Sequence, residues 1–181
     1  MTEYQSIFEK VKKASRKLVG ITDSKINEIL EDLAVLAKAE CNFLISENQK
    51  DLAQMDFQNP MYDRLLLSAD RIIGITEEIL QVSRLISPLH HVLESKVLEN
   101  GLSLKKITVP LGVIGIIYEA RPNVTFDVFA LSLKSGNGLI LKGGSDAKYS
   151  NLAILKLIHS VLEQHQISTD AFQLLPADRA A

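Results

Sequence analysis

The feature that most constrains the fold is a pair of apolar runs, each ending in a polar turn, within residues 109–151. The first run, residues 111–118, is rich in isoleucine and valine, which predicts a strand buried on both faces. It stops at the turn 119–123, and Asn123 or Thr125 can cap the helix that follows. We therefore expect a strand, a turn and a helix in this order.

The same order then repeats. The helix is predicted to end near Gly136, and residues 138–142 predict a second buried strand. Gly143 and Gly144 turn the chain, Ser145 is predicted to cap a further helix, and residues 172–176 predict a third strand. Such a βαβα unit has parallel strands joined by a right-handed crossover.

This topology has a functional consequence. Both polar turns follow the carboxyl ends of neighbouring strands, where open α/β sheets bind their ligands. We expect side chains from both turns to face one crevice at this edge. The residues concerned are Ile117, Tyr118, Glu119, Arg121 and Asn123 from the first turn, and Lys142, Gly143, Gly144 and Ser145 from the second.

Lys142 is the most informative of these residues. It ends the second strand, where a dinucleotide-binding fold usually carries an acid that binds the adenosine ribose. A lysine there would instead donate to the ribose hydroxyls and attract a 2′-phosphate, although it could also be an ordinary solvated lysine. Gly143 and Gly144 precede a helix N-terminus and could expose free N–H groups to an anion, or could simply form a tight turn.

The remaining candidates are weighed in the same way. Arg121 could bind a carboxylate or phosphate with two hydrogen bonds, whereas Asn123 could be only a helix cap. Cys41 lies on the apolar face of a predicted helix and is interpreted as structural rather than nucleophilic. Solvated or capping roles are expected for the four histidines, and no metal site is predicted.

The first half of the sequence predicts helices. A helix ends at Gly20, and a longer one begins at Thr22 or Ser24 and runs through Leu44. Residues 48–60 are predicted to be a polar connector. Ser68 can cap a third helix that carries Ile72, Ile75, Ile79, Val82 and Ile86 and is closed by a proline at position 88.

Residues 92–109 predict a two-stranded ribbon, with 92–99 paired to 102–108 around Asn100-Gly101. Asn-Gly is typical of a type I′ turn, in which both central residues have positive φ. The alternative is a surface hairpin with no further role.

Composition narrows the class of protein. Of 181 residues, 46% are hydrophobic and 23% are charged, with a net charge of −2. These values are typical of a soluble globular protein and argue against a nucleic-acid surface. The polar N-terminus lacks the apolar core of a signal peptide, and a single cysteine excludes an internal disulfide, so a cytoplasmic location is expected.

Three motifs carry a resemblance to a known family. GVIGIIYEARPNVT, LKSGN and LKGGSDAKYSN together resemble γ-glutamyl phosphate reductase (glutamate-5-semialdehyde dehydrogenase), within the aldehyde dehydrogenase superfamily. The resemblance implies an α/β fold, with a helical layer at 1–91, a hairpin at 92–109 that belongs to an oligomerisation arm, and the Rossmann-like parallel βαβα part of an NADP(H)-binding domain at 110–181. It extends over essentially the whole chain, and the family continues beyond it.

The resemblance also implies a reaction. NADPH would reduce γ-glutamyl 5-phosphate to glutamate 5-semialdehyde and phosphate in proline biosynthesis, through attack by a cysteine thiolate that lies downstream of this chain. The full-length enzyme would be a homo-oligomer, with glutamate 5-kinase as a further partner. We therefore expect no catalytic residue in this chain, no activity from it alone, and self-association through exposed strand edges. The alternative is a free-standing, non-catalytic nucleotide-binding or interaction module.

Overall fold

The structure is a computed structural model and describes residues 3–177. Its helices are α1 (Glu3–Leu18), α2 (Asp23–Ala39), α3 (Cys41–Leu52), α4 (Tyr62–Leu65), α5 (Ala69–Ser83), α6 (Pro122–Lys134) and α7 (Lys148–Gln164). Its strands are β1 (Val92–Val97), β2 (Ser103–Ile107), β3 (Val113–Tyr118), β4 (Gly138–Gly143) and β5 (Phe172–Leu174). Short 3₁₀ turns, Ser145–Ala147 and Thr169–Ala171, precede α7 and β5.

The helical first half begins largely as predicted. The Thr22 hydroxyl accepts a hydrogen bond from the Lys25 N–H at 3.3 Å, and Ser68 caps α5 in the same way. Because each cap satisfies an amide that the first turn leaves without a partner, these residues fix where the two helices begin. Within residues 3–177 no helix has both the length and the apolar character needed to cross a bilayer.

Three predictions for this half are wrong. The long helix is two helices, α2 and α3, with Glu40 at the junction. The connector begins later than expected, because α3 continues to Leu52 and buries Asn48 and Asp51. Ile86 lies beyond the end of α5 and is 88% exposed, so it does not belong to the buried face of that helix.

The parallel βαβα unit is confirmed. β3 and β5 each pair with β4 in parallel, in the order β3-β4-β5. The prediction that β3 is buried on both faces is wrong, because β3 lies at the edge of the sheet in the described part of the chain. Ile117 is 86% exposed, whereas Leu139 and Leu141 of the central strand are fully covered.

The ribbon is confirmed as antiparallel β1 and β2, but the predicted turn type is wrong. Gly101 has φ +85°, whereas Asn100 is not among the residues with positive φ. Leu98 donates to the Leu102 carbonyl and accepts from the Gly101 N–H, both at 2.9 Å. This arrangement is typical of a three-residue loop in which only the glycine is left-handed.

The predicted caps of α6 and α7 are also wrong. Arg121 occupies the N-cap position of α6, and Pro122 is the first helical residue, where its missing N–H costs nothing. Neither Asn123 nor Thr125 caps the helix. Ser145 begins the 3₁₀ turn instead of α7, whose N-cap residue is Ala147.

One buried charge ties three helices together. Lys134, at the end of α6, is 3% exposed. Its Nζ donates to Asp23 Oδ1 at 2.7 Å, to Asn27 Oδ1 at 2.6 Å and to the Ser83 carbonyl at 3.1 Å. All three donors of the ammonium are thereby used, which makes the burial of this charge tolerable. The contacts hold α2 and α5 against the helix that follows the first polar turn.

Candidate functional site

Two depressions, rather than one crevice, lie beside the polar turns. The strand-end depression has a volume of about 250 Å³ and is lined by Gly143, Gly144, Lys148, Asn151, Leu152, Leu174, Leu175, Pro176 and Ala177. The arginine groove has a volume of about 420 Å³ and is lined by Asp63, Arg64, Leu66, Leu67, Arg71, Gly74, Ile75, Glu78, Arg121 and Asn123. Arg121 and Asn123 thus line the arginine groove, whereas Gly144 lines the strand-end depression.

The two turns are nevertheless neighbours. A Cβ placed on Gly144 would lie 3.6 Å from the carbonyl carbon of Glu119. Glu119 thus stands beside the second turn, as the parallel topology predicts. Ile117 lies opposite Lys142 in the strand register.

Lys142 reaches across the sheet edge. Its Nζ donates to the carbonyl oxygen of Pro176, which follows β5 and lines the strand-end depression. This bond places the Lys142 ammonium beside the strand-end depression. Ser145 is exposed, and its hydroxyl donates to Asp146 Oδ1 at 3.3 Å.

The N-terminus of α7 is occupied by a carboxylate of the chain itself. Asp51 accepts from the Tyr149 N–H at 3.0 Å, from the Ser150 N–H at 2.8 Å and from the Ser150 hydroxyl at 2.6 Å. It is 3% exposed and supplies the negative charge that a helix N-terminus favours. The Tyr149 and Ser150 amides are therefore satisfied within the chain, and the contact of Gly143 and Gly144 with an anion stays a prediction.

A second buried chain of hydrogen bonds fixes the spacing of the turns. The hydroxyls of Tyr118 and Thr125 are 2.6 Å apart, and Thr125 donates to Asn151 Oδ1 at 3.0 Å. Burial raises the pKa of Tyr118 above its ordinary value, and the bond to Thr125 acts in the opposite direction. The Tyr118 side chain therefore supports the first turn, and its hydroxyl is hydrogen-bonded to Thr125.

Sequence reasoning missed Asn48, Asp51, Thr125 and Asn151. Asn48 donates to the Leu65 carbonyl at 2.8 Å and to the Ser150 hydroxyl at 3.0 Å, and it accepts from the Leu67 N–H at 2.8 Å. The spacing of Asn48 and Asp51 was the available sign, because polar residues three apart share one face of a helix. Their burial against α7 depends on tertiary contacts, which the spacing does not predict.

The cysteine and two of the histidines make contacts within the protein. Cys41 begins α3, is half-buried and packs against the core, in line with the structural interpretation. His159 Nε2 lies 2.8 Å from the Phe172 carbonyl, so a solvated side chain is the wrong expectation for His159. His165 is the C-cap residue of α7, as a capping role predicts, and its Nε2 lies 2.7 Å from Asp32 Oδ2. Within residues 3–177, no three His, Cys, Asp or Glu side chains lie where they could hold a metal ion.

Known proteins share both this sequence and this arrangement. No protein-family model matches the chain. A curated γ-glutamyl phosphate reductase from Pelodictyon phaeoclathratiforme is 58% identical over 171 residues, which are 94% of this chain and 41% of that protein. The chain is a homologue of the N-terminal part of γ-glutamyl phosphate reductases. It spans 41% of the length of this relative, so the resemblance seen in the motifs is confirmed for that part.

Solved structures agree. The crystal structure of γ-glutamyl phosphate reductase from Thermotoga maritima matches with a TM-score of 0.91 and 32% identity, over 96% of this chain and 42% of that one. A probable aldehyde dehydrogenase from Listeria monocytogenes matches at 14% identity with a TM-score of 0.71, over 96% of this chain and 36% of that one. The second likeness shows the fold alone, and it confirms the aldehyde dehydrogenase type of α/β fold.

The buried chain predicts a sharp difference between the two glycines of the turn. A Cβ on Gly143 would lie 2.3 Å from Asn151 Nδ2, and Asn151 cannot move away without losing its bond to Thr125. Gly143→Ala should therefore lower the free energy of unfolding by about 2 kcal/mol in urea denaturation. Gly144→Ala is the matched control, expected to change it by less than about 0.5 kcal/mol because its Cβ would meet only ordinary contacts. Equal losses in the two variants would contradict this role of Asn151.

The half-buried carboxyl of Asp127, on α6, predicts a pH dependence. Burial and the nearby Glu78 carboxylate raise its pKa from 3.8 to about 6, partly opposed by a hydrogen bond from Asn123. The folded chain then binds more protons than the unfolded chain between about pH 4 and pH 6, so this group's contribution to stability falls as pH rises through that window. Asp127→Asn, which cannot ionise, should be more stable than the parent at pH 7 by about 1 to 2 kcal/mol, and the gain should shrink towards pH 4.

Thermal or urea unfolding at several pH values measures this difference. Glu77→Gln, an exposed residue of α5 outside both groove linings, serves as the control for general charge effects. A gain from Asp127→Asn that does not vary between pH 4 and pH 7 would rule out the raised pKa.

Proposed function

We propose that this chain is the N-terminal part of an enzyme that uses NADPH to reduce γ-glutamyl 5-phosphate to glutamate 5-semialdehyde and phosphate, a step of proline biosynthesis. The observation that carries the proposal is the 58% identity over 171 residues to a curated reductase of that name. The longer protein would supply the nucleophilic thiol, because Cys41 is packed against the helical core. A cytoplasmic location and glutamate 5-kinase as a partner belong to the same proposal.

The strand-end depression fits the adenosine end of NADPH, whose nicotinamide supplies the hydride. Leu152, Leu174 and Leu175 offer apolar surface for an adenine ring. The ammonium groups of Lys142 and Lys148 stand at the rim and can bind ribose hydroxyls and a 2′-phosphate. Because Asp51 occupies the N-terminus of α7, these lysines, and not helix amides, are the cationic groups that this part of the site offers to the cofactor.

The remaining predicted contacts divide between the two turns. Glu119, Gly143, Gly144 and Ser145 would shape the entrance to the cofactor site, while Ile117 offers an exposed apolar side chain at the strand edge. Tyr118 would support the cofactor site indirectly, through its hydrogen bond with Thr125 and that of Thr125 with Asn151. Arg121 and Asn123 would contact the substrate from the arginine groove.

The ribbon of β1 and β2 would serve as an oligomerisation arm. All eleven residues of its two strands are exposed, and Val97 reaches 73%. A ribbon with apolar side chains on the surface gains stability when a partner covers it. A homo-oligomer of the longer enzyme would provide that cover.

The cofactor assignment is tested by titrating the chain with NADPH and NADH and following nucleotide fluorescence. Lys142→Ala should raise the Kd for NADPH about tenfold and that for NADH by less than about threefold, because only NADPH carries the 2′-phosphate. Lys38→Ala, at the far end of α2, is the control and should leave both constants unchanged. If NADPH and NADH lose affinity equally in the Lys142 variant, Lys142 does not read the 2′-phosphate.

A further inference from the structure

The arginine groove has both cationic and anionic residues in its lining. The proposed cofactor site is the strand-end depression, so the cofactor does not explain these charges. Arg64, Arg71 and Arg121 line the groove together with Glu78. Glu78 also lines the adjoining depression that contains Asp127, so two carboxylates stand together at that end. The floor is apolar and includes Leu67 and Ile75.

The three arginines are not equivalent. Arg71 is committed to structure, since its Nη atoms donate to the Asp63 and Leu66 carbonyls and to Asp63 Oδ1 at 2.6 Å. Among the described contacts, Arg64 reaches only Met61 Sδ, at 3.5 Å. Arg121 forms no side-chain hydrogen bond or ion pair to any residue within 3–177, and its backbone is held by the bond from its N–H to the Glu119 carbonyl at 2.8 Å. Arg121 therefore has no side-chain partner among the described residues, and its guanidinium can bind a ligand.

The complementary ligand carries both a carboxylate and an ammonium. A guanidinium binds a carboxylate with two parallel hydrogen bonds, and a carboxylate pair stabilises an ammonium. The groove also lies directly beside the turn that ends β3, because Arg121 and Glu119 are joined by a backbone bond. A bound amino acid could thus extend its side chain from the groove towards that turn.

We propose that the arginine groove binds the free α-amino acid head of the γ-glutamyl substrate, with Arg121 binding the α-carboxylate and Glu78 the α-ammonium. This inference rests on the proposed function and adds to it the orientation of the substrate. Arg64 adds positive charge at the carboxylate end, and Asp127 adds negative charge at the ammonium end. The phosphorylated end of the substrate is then directed away from the groove.

The test uses the 181-residue chain and arginine side-chain NMR signals. L-Glutamine is the probe, since it has the amino acid head and an uncharged γ-carbonyl group. It should shift the Arg121 Nε–Hε signal in a saturable way, with glutaramate (no ammonium) and 4-aminobutanamide (no carboxylate) binding at least about tenfold more weakly. Glutaramate binding as tightly as L-glutamine, or inorganic phosphate displacing L-glutamine at equal concentration, would overturn the proposal in favour of a general anion site.

Paired variants separate the two contacts. Arg121→Gln should weaken L-glutamine binding about tenfold, and Arg121→Lys should restore part of it. Glu78→Gln should weaken L-glutamine about tenfold but leave glutaramate unchanged, whereas Glu77→Gln, outside the groove lining, should change neither. Equal effects of the Glu77 and Glu78 changes, or no saturable Arg121 shift in the parent chain, would overturn the proposal.

The same samples titrated with NADPH keep this inference distinct from the proposed function. Binding of NADPH without L-glutamine would refute the groove assignment alone. Binding of L-glutamine without NADPH would refute the cofactor assignment and retain an amino acid site.

Discussion

The arrangement of this protein depends on a buried carboxylate, that of Asp51. It sits at the N-terminus of α7 and accepts three hydrogen bonds there, two of them from backbone amides. Asn48 lies one turn before Asp51 on α3. It donates to the Ser150 hydroxyl and the Leu65 carbonyl, and it accepts from the Leu67 N–H. Through these two side chains the helical first half fixes the start of α7, and with it the glycine turn that follows β4. Because a buried charge is costly without such partners, these bonds make the burial of Asp51 tolerable and link the two halves.

The separation of the two candidate binding regions follows from the same contacts. The turn after β3 is supported by Tyr118 and Thr125, and the turn after β4 by Asn151, in one continuous chain of hydrogen bonds. Glu119 and Gly144 lie beside each other where the two turns meet at the sheet edge. A cofactor on one side and an amino acid substrate on the other would then approach each other across the turns, which suits a reaction that transfers hydride between them.

The sequence predicted the elements that local patterns encode. The parallel unit, the ribbon and the caps at Thr22 and Ser68 were all predicted, because apolar periodicity and capping residues act over a few positions. Some errors are local, such as the helix break at Glu40 and the caps of α6 and α7, and others arose where residues distant in sequence come together. Glu40 interrupts a continuous apolar stripe, Asp51 accepts from amides at the start of α7, and Ile117 is exposed although its run reads as a central strand. Lys142 was placed at the strand end from its position alone, whereas the arginine groove requires α4, α5 and α6 to come together and has no local sign.

The most direct test is a crystal structure of the chain with NADP⁺ bound. The account predicts that the adenosine end lies in the strand-end depression, with its 2′-phosphate near Lys142 and Lys148, and that Asp51 keeps its bonds to Tyr149 and Ser150. A phosphate group bound to those two amides, with the Asp51 carboxylate displaced, would contradict it.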